Sequence, residues 1–186
     1  MNEHISPTNV QFTKFMQFRQ AAYECLGNAQ DAQFELTDAV ILTPAANSFV
    51  ELSLSPVFRR RWPSVYEAIE DGRPDREELM RLYIAEIPTT PRPLLAGDHT
   101  TWPRLAAYTA RDRTFEHQPT KIAGNKPITI GYGFSTLAWI PEKEGSWALP
   151  LLHERISAQQ TPIEKAIDQL RRVCEVLSAR PITLWD

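Results

Sequence analysis

Cysteine is almost missing from this chain of 186 residues, with Cys25 and Cys174 the only two. Two thiols fit neither a disulfide framework nor a structural zinc site, which needs four clustered ligands. Both read as small buried hydrophobes. Glycine is scarce too, seven residues against fifteen prolines, which implies many defined breaks and few flexible linkers. No charge sign dominates: 20 basic residues face 23 acidic ones, for a net charge of −3. Long apolar runs are also lacking. The longest uncharged stretch, Pro127 to Pro141, is broken by Gly and Pro and falls short of the roughly 20 residues that span a bilayer. The N-terminus has neither the basic nor the apolar region of a signal peptide. These absences predict a cytoplasmic chain with no membrane partner. What remains is ordinary for a globular protein, 42% hydrophobic and 23% charged, and the length suits one domain, or a small domain and part of another.

The balanced charge hides a split. Residues 1–97 carry 9 basic and 13 acidic groups, residues 98–186 carry 11 and 10, so the second half is the better candidate to meet a polyanion. The periodicity divides in the same way. Apolar residues recur at helical spacing from Asn9 to Leu26, with Gly27 in a C-cap position. A short helix is expected from Thr37 or Asp38 to the Pro44 break, and Phe49 to Leu54 form a third apolar patch. Pro63 starts and Gly72 stops another helix, and Asp75 with Glu78 three residues later has the spacing of a capping box. The segment Ile87 to Pro93 holds three prolines in seven residues and marks a boundary. The expected organisation is a helical domain over 1–90 and a second domain over 91–186.

Beyond that boundary the period shortens. Leu94 to Asp98 is an apolar run ending in a carboxylate, and Lys126 to Trp139 alternates as one or two strands around a kink at Gly131 and Gly133. Thr161, Pro162 and Glu164 form a capping box and open a helix that Pro181 ends. Ile182 to Trp185 is a last short strand, again followed by a carboxylate, Asp186. Asp98 and Asp186 therefore share a setting. Each is either a turn residue leaving a sheet or, if the strands are neighbours, one of two carboxylates at a single sheet edge. Such a pair repels, and a hard divalent cation such as Mg²⁺ relieves the repulsion through oxygen ligands.

The string Leu95 to Arg104, LAGDHTTWPR, resembles the block around the first catalytic aspartate of bacterial insertion-sequence transposases of the DDE superfamily. Upstream, Leu52 to Pro56, Arg59 to Arg61, Ser64, Tyr66 and Gly72 to Asp75 resemble that family's N-terminal helical region. Downstream, Lys126 to Ser135, the helix from Thr161, and Leu184-Trp185-Asp186 resemble the run from its second strand to its second aspartate. The resemblance covers nearly the whole chain, in order. It implies an α+β fold, a helical N-terminal domain followed by the first half of a ribonuclease H-like mixed-sheet domain. It implies Asp98 and Asp186 as the first and second catalytic, metal-binding acids, Mg²⁺ or Mn²⁺ as cofactor, and two-metal phosphoryl transfer as the chemistry. The partners it implies are transposon terminal inverted repeats, target DNA and a second copy of the chain, in the cytoplasm at the nucleoid. The family's third acid, a Glu on a later helix, has no counterpart before Asp186. The expectation is thus a truncated transposase, weak or inactive in strand transfer. The alternatives are a non-catalytic DNA-binding or dimerising regulator, and a nuclease that borrows its third acid from another chain.

Other residues carry two readings each. His99 adjoins Asp98 and could approach a metal or phosphate, although alternation points it the other way. Trp102 is either a packing residue or a stacking platform for a flipped base. Arg104, Arg111, Arg113, Lys121 and Lys126 follow the first aspartate, where phosphates would pass. Arg59, Arg60 and Arg61 form a basic run that is either a solvated face or a DNA contact. His4, His117 and His153 have no partner at ligand spacing.

Overall fold

Residues 7–117, 127–142, 144 and 147–185 are described by a computed structural model. The chain divides into two units, Met1–Leu82 and Tyr83–Asp186.

The first unit is helical: α1 (Pro7–Glu24), α2 (Gln30–Leu42), α3 (Phe49–Leu52), α4 (Pro63–Asp71) and the start of α5 (Arg76–Ala85). Gly27 follows α1 with φ +66°, and an added Cβ there would lie 2.3 Å from the Arg73 carbonyl oxygen, so only glycine fits. Helix α2 begins at Gln30, seven residues ahead of the expected start. Its buried positions are Ala32, Glu35 and Ala39, small or charged residues that leave little apolar period to read. Pro63 and Gly72 bound α4 as expected. Asp75 caps α5, its Oδ1 accepting from the N–H groups of Glu77 and Glu78 at 3.1 and 3.0 Å. The other half of the box is replaced, because the Asp75 N–H donates to the Cys25 carbonyl at 2.7 Å. Ala39, Phe58 and Val65, with Leu36 and Val57 against them, form the core of this unit.

The second unit is a five-stranded sheet with one helix packed on it. Its elements are β1 (Leu94–Pro103), β2 (Thr114–His117), β3 (Ile128–Ile140), β4 (Leu149–Arg155), α6 (Pro162–Val176) and β5 (Ile182–Trp185). Strand β3 lies at the centre. One edge pairs antiparallel with β1, and the other pairs first with β2 and then with β4. Helix α6 carries the chain from β4 to β5, which runs parallel to β1.

Three further features depart from the sequence expectations. Strand β1 runs on past Asp98 to Pro103, because it pairs with β3 along its whole length. Strand β3 is continuous through Gly131 and Gly133, whose missing side chains serve close approach instead of a kink. A Cβ on Gly131 would lie 2.2 Å from the Trp102 carbonyl oxygen. Cys174 is exposed and Cys25 half-buried, since the buried stripe of α6 passes through Gln169 and Val173 and leaves position 174 outside it. The Thr161–Glu164 capping box is present in full.

Candidate active site

Alternation along β1 divides its side chains between the two faces of the sheet. The α6 face is identified by Ser135 on β3, whose hydroxyl donates to Gln169 Oε1 at 2.6 Å while Gln169 Nε2 donates back to the Ser135 carbonyl at 3.0 Å. His99 stands opposite Ser135, so Leu95, Gly97 and His99 share that face. Asp98, opposite Thr136, points to the other one, along with Thr100 and Trp102.

Gly97 makes the approach of β5 possible. It pairs with Trp185, and the indole covers its Cα so closely that an added Cβ would sit 2.1 Å from a ring carbon. Trp185 is the last described residue, and Asp186 lies outside the described residues. A cleft of about 310 Å³ opens beside this contact, lined by Asp98, His99, Ser135, Ile163, Ile167 and Trp185 among others.

The Asp98 carboxylate is exposed. Its Oδ1 accepts the His99 N–H at 2.7 Å. Across the sheet, Thr136 Oγ1 shares a hydrogen bond of 2.8 Å with His153 Nδ1, so the row Asp98, Thr136, His153 crosses β1, β3 and β4 on one face. Nothing in the spacing of His153 pointed to this row. Its signal is the strand register, which is not local. Among the described residues, no three His, Cys, Asp or Glu side chains cluster closely enough to hold a metal ion. The described part of the site thus offers one hard oxygen donor group, the Asp98 carboxylate.

On the α6 face, His99 Nε2 lies 3.2 Å from Oε2 of Glu116 on β2, without the angle of a hydrogen bond. Glu116 is 6% exposed and also accepts from the Thr114 hydroxyl. A Cβ at Gly133 would fall 2.8 Å from Glu116 Oε1 and 2.9 Å from His99 Nε2, so this glycine leaves room for the pair. His99 thereby occupies the face away from the Asp98 side chain. Above it, Glu154 on β4 takes Lys165 at 2.7 Å and Arg172 at 3.0 Å from α6. Burial pushes the Glu154 carboxyl up, but these two cations outweigh it and hold the group below its ordinary value.

The basic candidates are placed unequally. Arg104 lays its guanidinium 3.6 Å from the Trp102 ring centroid. Arg113 donates to the carbonyls of Arg104 at 2.9 Å and Tyr108 at 3.4 Å, tying the loop after β1 together. The Arg111 carbonyl accepts from Tyr132 and Arg155. In the first unit, Arg59 bonds to the buried Glu35 through its N–H, Nε and Nη2 at 3.1, 3.0 and 2.6 Å. Arg60 lies 3.4 Å from Glu35 and 3.7 Å from Asp31. Phosphate would have to compete with these carboxylates at both arginines, whereas Arg61 is exposed. Lys121 and Lys126 lie outside the described residues.

Residues 22–181 match the family described as DDE superfamily endonuclease. The chain belongs to this family. The matched segment takes in Asp98 and the whole of β1 to α6, and the observed mixed sheet with its crossover helix has the α+β, ribonuclease H-like form of a DDE-type transposase or nuclease domain. No curated protein and no solved structure matches. Membership makes DNA the substrate class, and the superfamily typically uses divalent metal ions. Among the described residues no helix is long and apolar enough to cross a membrane.

Proposed function

We propose that this DDE endonuclease is an insertion-sequence transposase that cuts transposon ends and joins them to target DNA, with Asp98 and Asp186 as its catalytic carboxylates. One observation carries the reading: β1 and β5 run parallel with Gly97 opposite Trp185, and Asp98 and Asp186 are the residues that follow each in sequence. The two carboxylates would hold Mg²⁺ or Mn²⁺. When bound, such ions stabilise the charge that develops on the attacking and leaving oxygens of a phosphodiester. The chain's own contribution is to present Asp98 on a rigid strand, with one carboxylate oxygen fixed by the His99 N–H and the other side open to solvent. Arg61, Arg104, Arg113, Lys121 and Lys126 contact DNA phosphates in this reading, as do Arg59 and Arg60 if they leave Glu35. The helical domain over 1–90 meets a transposon end or a second copy of the chain, and the protein works at the nucleoid.

The test is Mn²⁺ binding by the full chain, followed by calorimetry or electron paramagnetic resonance, with Asp98→Asn and Asp186→Asn compared. Nicking of supercoiled plasmid in Mg²⁺ or Mn²⁺ is measured alongside. Each substitution should weaken metal binding at least about tenfold, the loss of one charged ligand, and abolish nicking. Unchanged Mn²⁺ affinity in Asp98→Asn would sink the assignment. DNA binding in a gel shift with no nicking by the unaltered chain would favour the regulator instead.

A further inference from the structure

The sheet face that carries Asp98 also carries rings, exposed at Trp102 and His153 and half-buried at Tyr132 and Phe134, and cations that the metal chemistry does not use. On β1, Trp102 is 51% exposed, with the Arg104 guanidinium 3.6 Å from its centroid. On β3, Phe134 lies 6.4 Å from Trp102, and on β4 His153 stacks on Phe134 at 5.2 Å with the planes 5° apart. Tyr132, opposite Trp102, carries Arg155 at 4.1 Å. The register puts the four rings and Arg155 on the side away from α6, because each pairs with or alternates from Thr136 and Asp98, and Arg104, just past the end of β1, joins them through its contact with Trp102. Trp102 is four residues along β1 from Asp98, about 13 Å at the rise of a strand; Phe134 stands opposite Thr100, at a level between them, and His153 stands level with Asp98, across β3 on β4.

The chemistry of this track selects its partner. A DNA duplex offers phosphates and paired base edges, and keeps its ring faces stacked inside. Unpaired bases expose those faces, and stack on aromatic rings or on guanidinium planes with little regard to sequence. Arg104 has no carboxylate partner among the described residues and supplies charge for the backbone phosphates as well as a plane. Arg155 is neutralised by Asp112 at 2.7 Å, so its contribution is the stacked plane. We infer that this face binds unpaired bases of single-stranded DNA, with Trp102 and Arg104 as the main stacking pair and Phe134 and His153 extending the track across β3 and β4 to the level of Asp98. The inference deepens the transposase reading by naming the state of the DNA at the site as locally unpaired.

Fluorescence anisotropy of the full chain tests it, with a labelled oligothymidylate of about twelve nucleotides, within the range of known single-strand sites, and a duplex of equal length. Both are measured in EDTA at fixed salt. The single strand should bind at least about tenfold more tightly than the duplex, and Trp102→Ala should remove about tenfold of that affinity, the worth of one stacked base. Arg104→Lys, which keeps the charge and loses the plane, should weaken the single strand more than the duplex, and Trp102→Phe should restore part of the loss. Cys174→Ser, on the exposed side of α6 across the sheet, serves as the control and should change nothing. Equal or tighter duplex binding, no binding of either DNA, or an unaffected Trp102→Ala protein with intact circular dichroism would overturn the inference. EDTA separates the two readings. Single-strand binding without Mn²⁺ affinity refutes the metal assignment alone, and Mn²⁺ affinity without single-strand preference refutes this inference alone.

Discussion

A methyl group at position 97 is the smallest change that interrogates how β5 is held against β1. Gly97 does not have a positive φ, so alanine suits its backbone, and in an open strand the exchange would stabilise by about 0.5–1 kcal/mol through the unfolded chain. Here the added Cβ would meet three carbons of the Trp185 ring at 2.1, 2.2 and 2.5 Å. The backbone of β1 cannot yield, because Leu95 beside it is fully buried and β3 pairs on the far side. The indole, 41% exposed, must swing out instead, at a cost of about 1–3 kcal/mol typical of overpacking. Trp185→Ala alone removes a half-buried ring and should cost about 1–2 kcal/mol. The two changes together should cost no more than Trp185→Ala alone, a coupling of about 1–3 kcal/mol, within the range for residues in contact. Urea unfolding of the four proteins, followed by circular dichroism, measures the cycle. If Gly97→Ala costs the same with and without the indole, the ring does not hold the strand and the argument fails. Gly97→Ala should also weaken Mn²⁺ binding, since the displaced ring adjoins Asp186 in sequence.

Three further outcomes follow from the same contacts. Thr161→Ala removes a complete capping box at the start of α6 and should lower stability by about 0.5–2 kcal/mol, read as a shift in the urea midpoint at unchanged slope. Glu35→Gln removes the buried charge facing Arg59 and Arg60 and turns one of its two acceptor oxygens into a donor, and should cost about 1–3 kcal/mol. If the arginine run meets DNA, the same change should steepen the salt dependence of binding, which a titration at several salt concentrations reads directly. Glu154 is held below its ordinary pKa in the folded chain. Its contribution is therefore present in full above the ordinary carboxylate range, about pH 4–5, and is lost as pH falls through the depressed folded value. Glu154→Gln should be less stable than the unaltered chain at pH 7 and the difference should shrink in acid; a constant difference across that range would contradict the assignment of Lys165 and Arg172 as its partners.

The helix boundaries that were legible are those set by chemistry within one turn. Pro63 and Gly72 bound α4, and Thr161, Pro162 and Glu164 open α6, because each acts on backbone groups three or four residues away. Strand β4 was not legible. Leu149–Arg155 lacks alternation and contains Pro150, which breaks a ladder hydrogen bond and is tolerated at an edge beside a bulge. The bulge lies there, at the register shift between Leu137 and Ala138. The start of α2 was hidden because one of its buried residues is Glu35, which only Arg59 and Arg60 from farther along the chain make tolerable inside.

The same division runs through the site. The sequence by itself determined that a carboxylate follows each of two short apolar runs, that a capped amphipathic helix precedes the second, and that the whole resembles a DDE transposase; all of this is written in local spacing and residue type. Alternation already turned His99 from Asp98; only the tertiary structure decided that it meets Glu116, that Gly97 lies beneath Trp185, and that Thr136, His153, Phe134 and Trp102 share the face of Asp98. Those placements depend on strand register, and register joins residues tens of positions apart through backbone pairing that no short window of sequence contains.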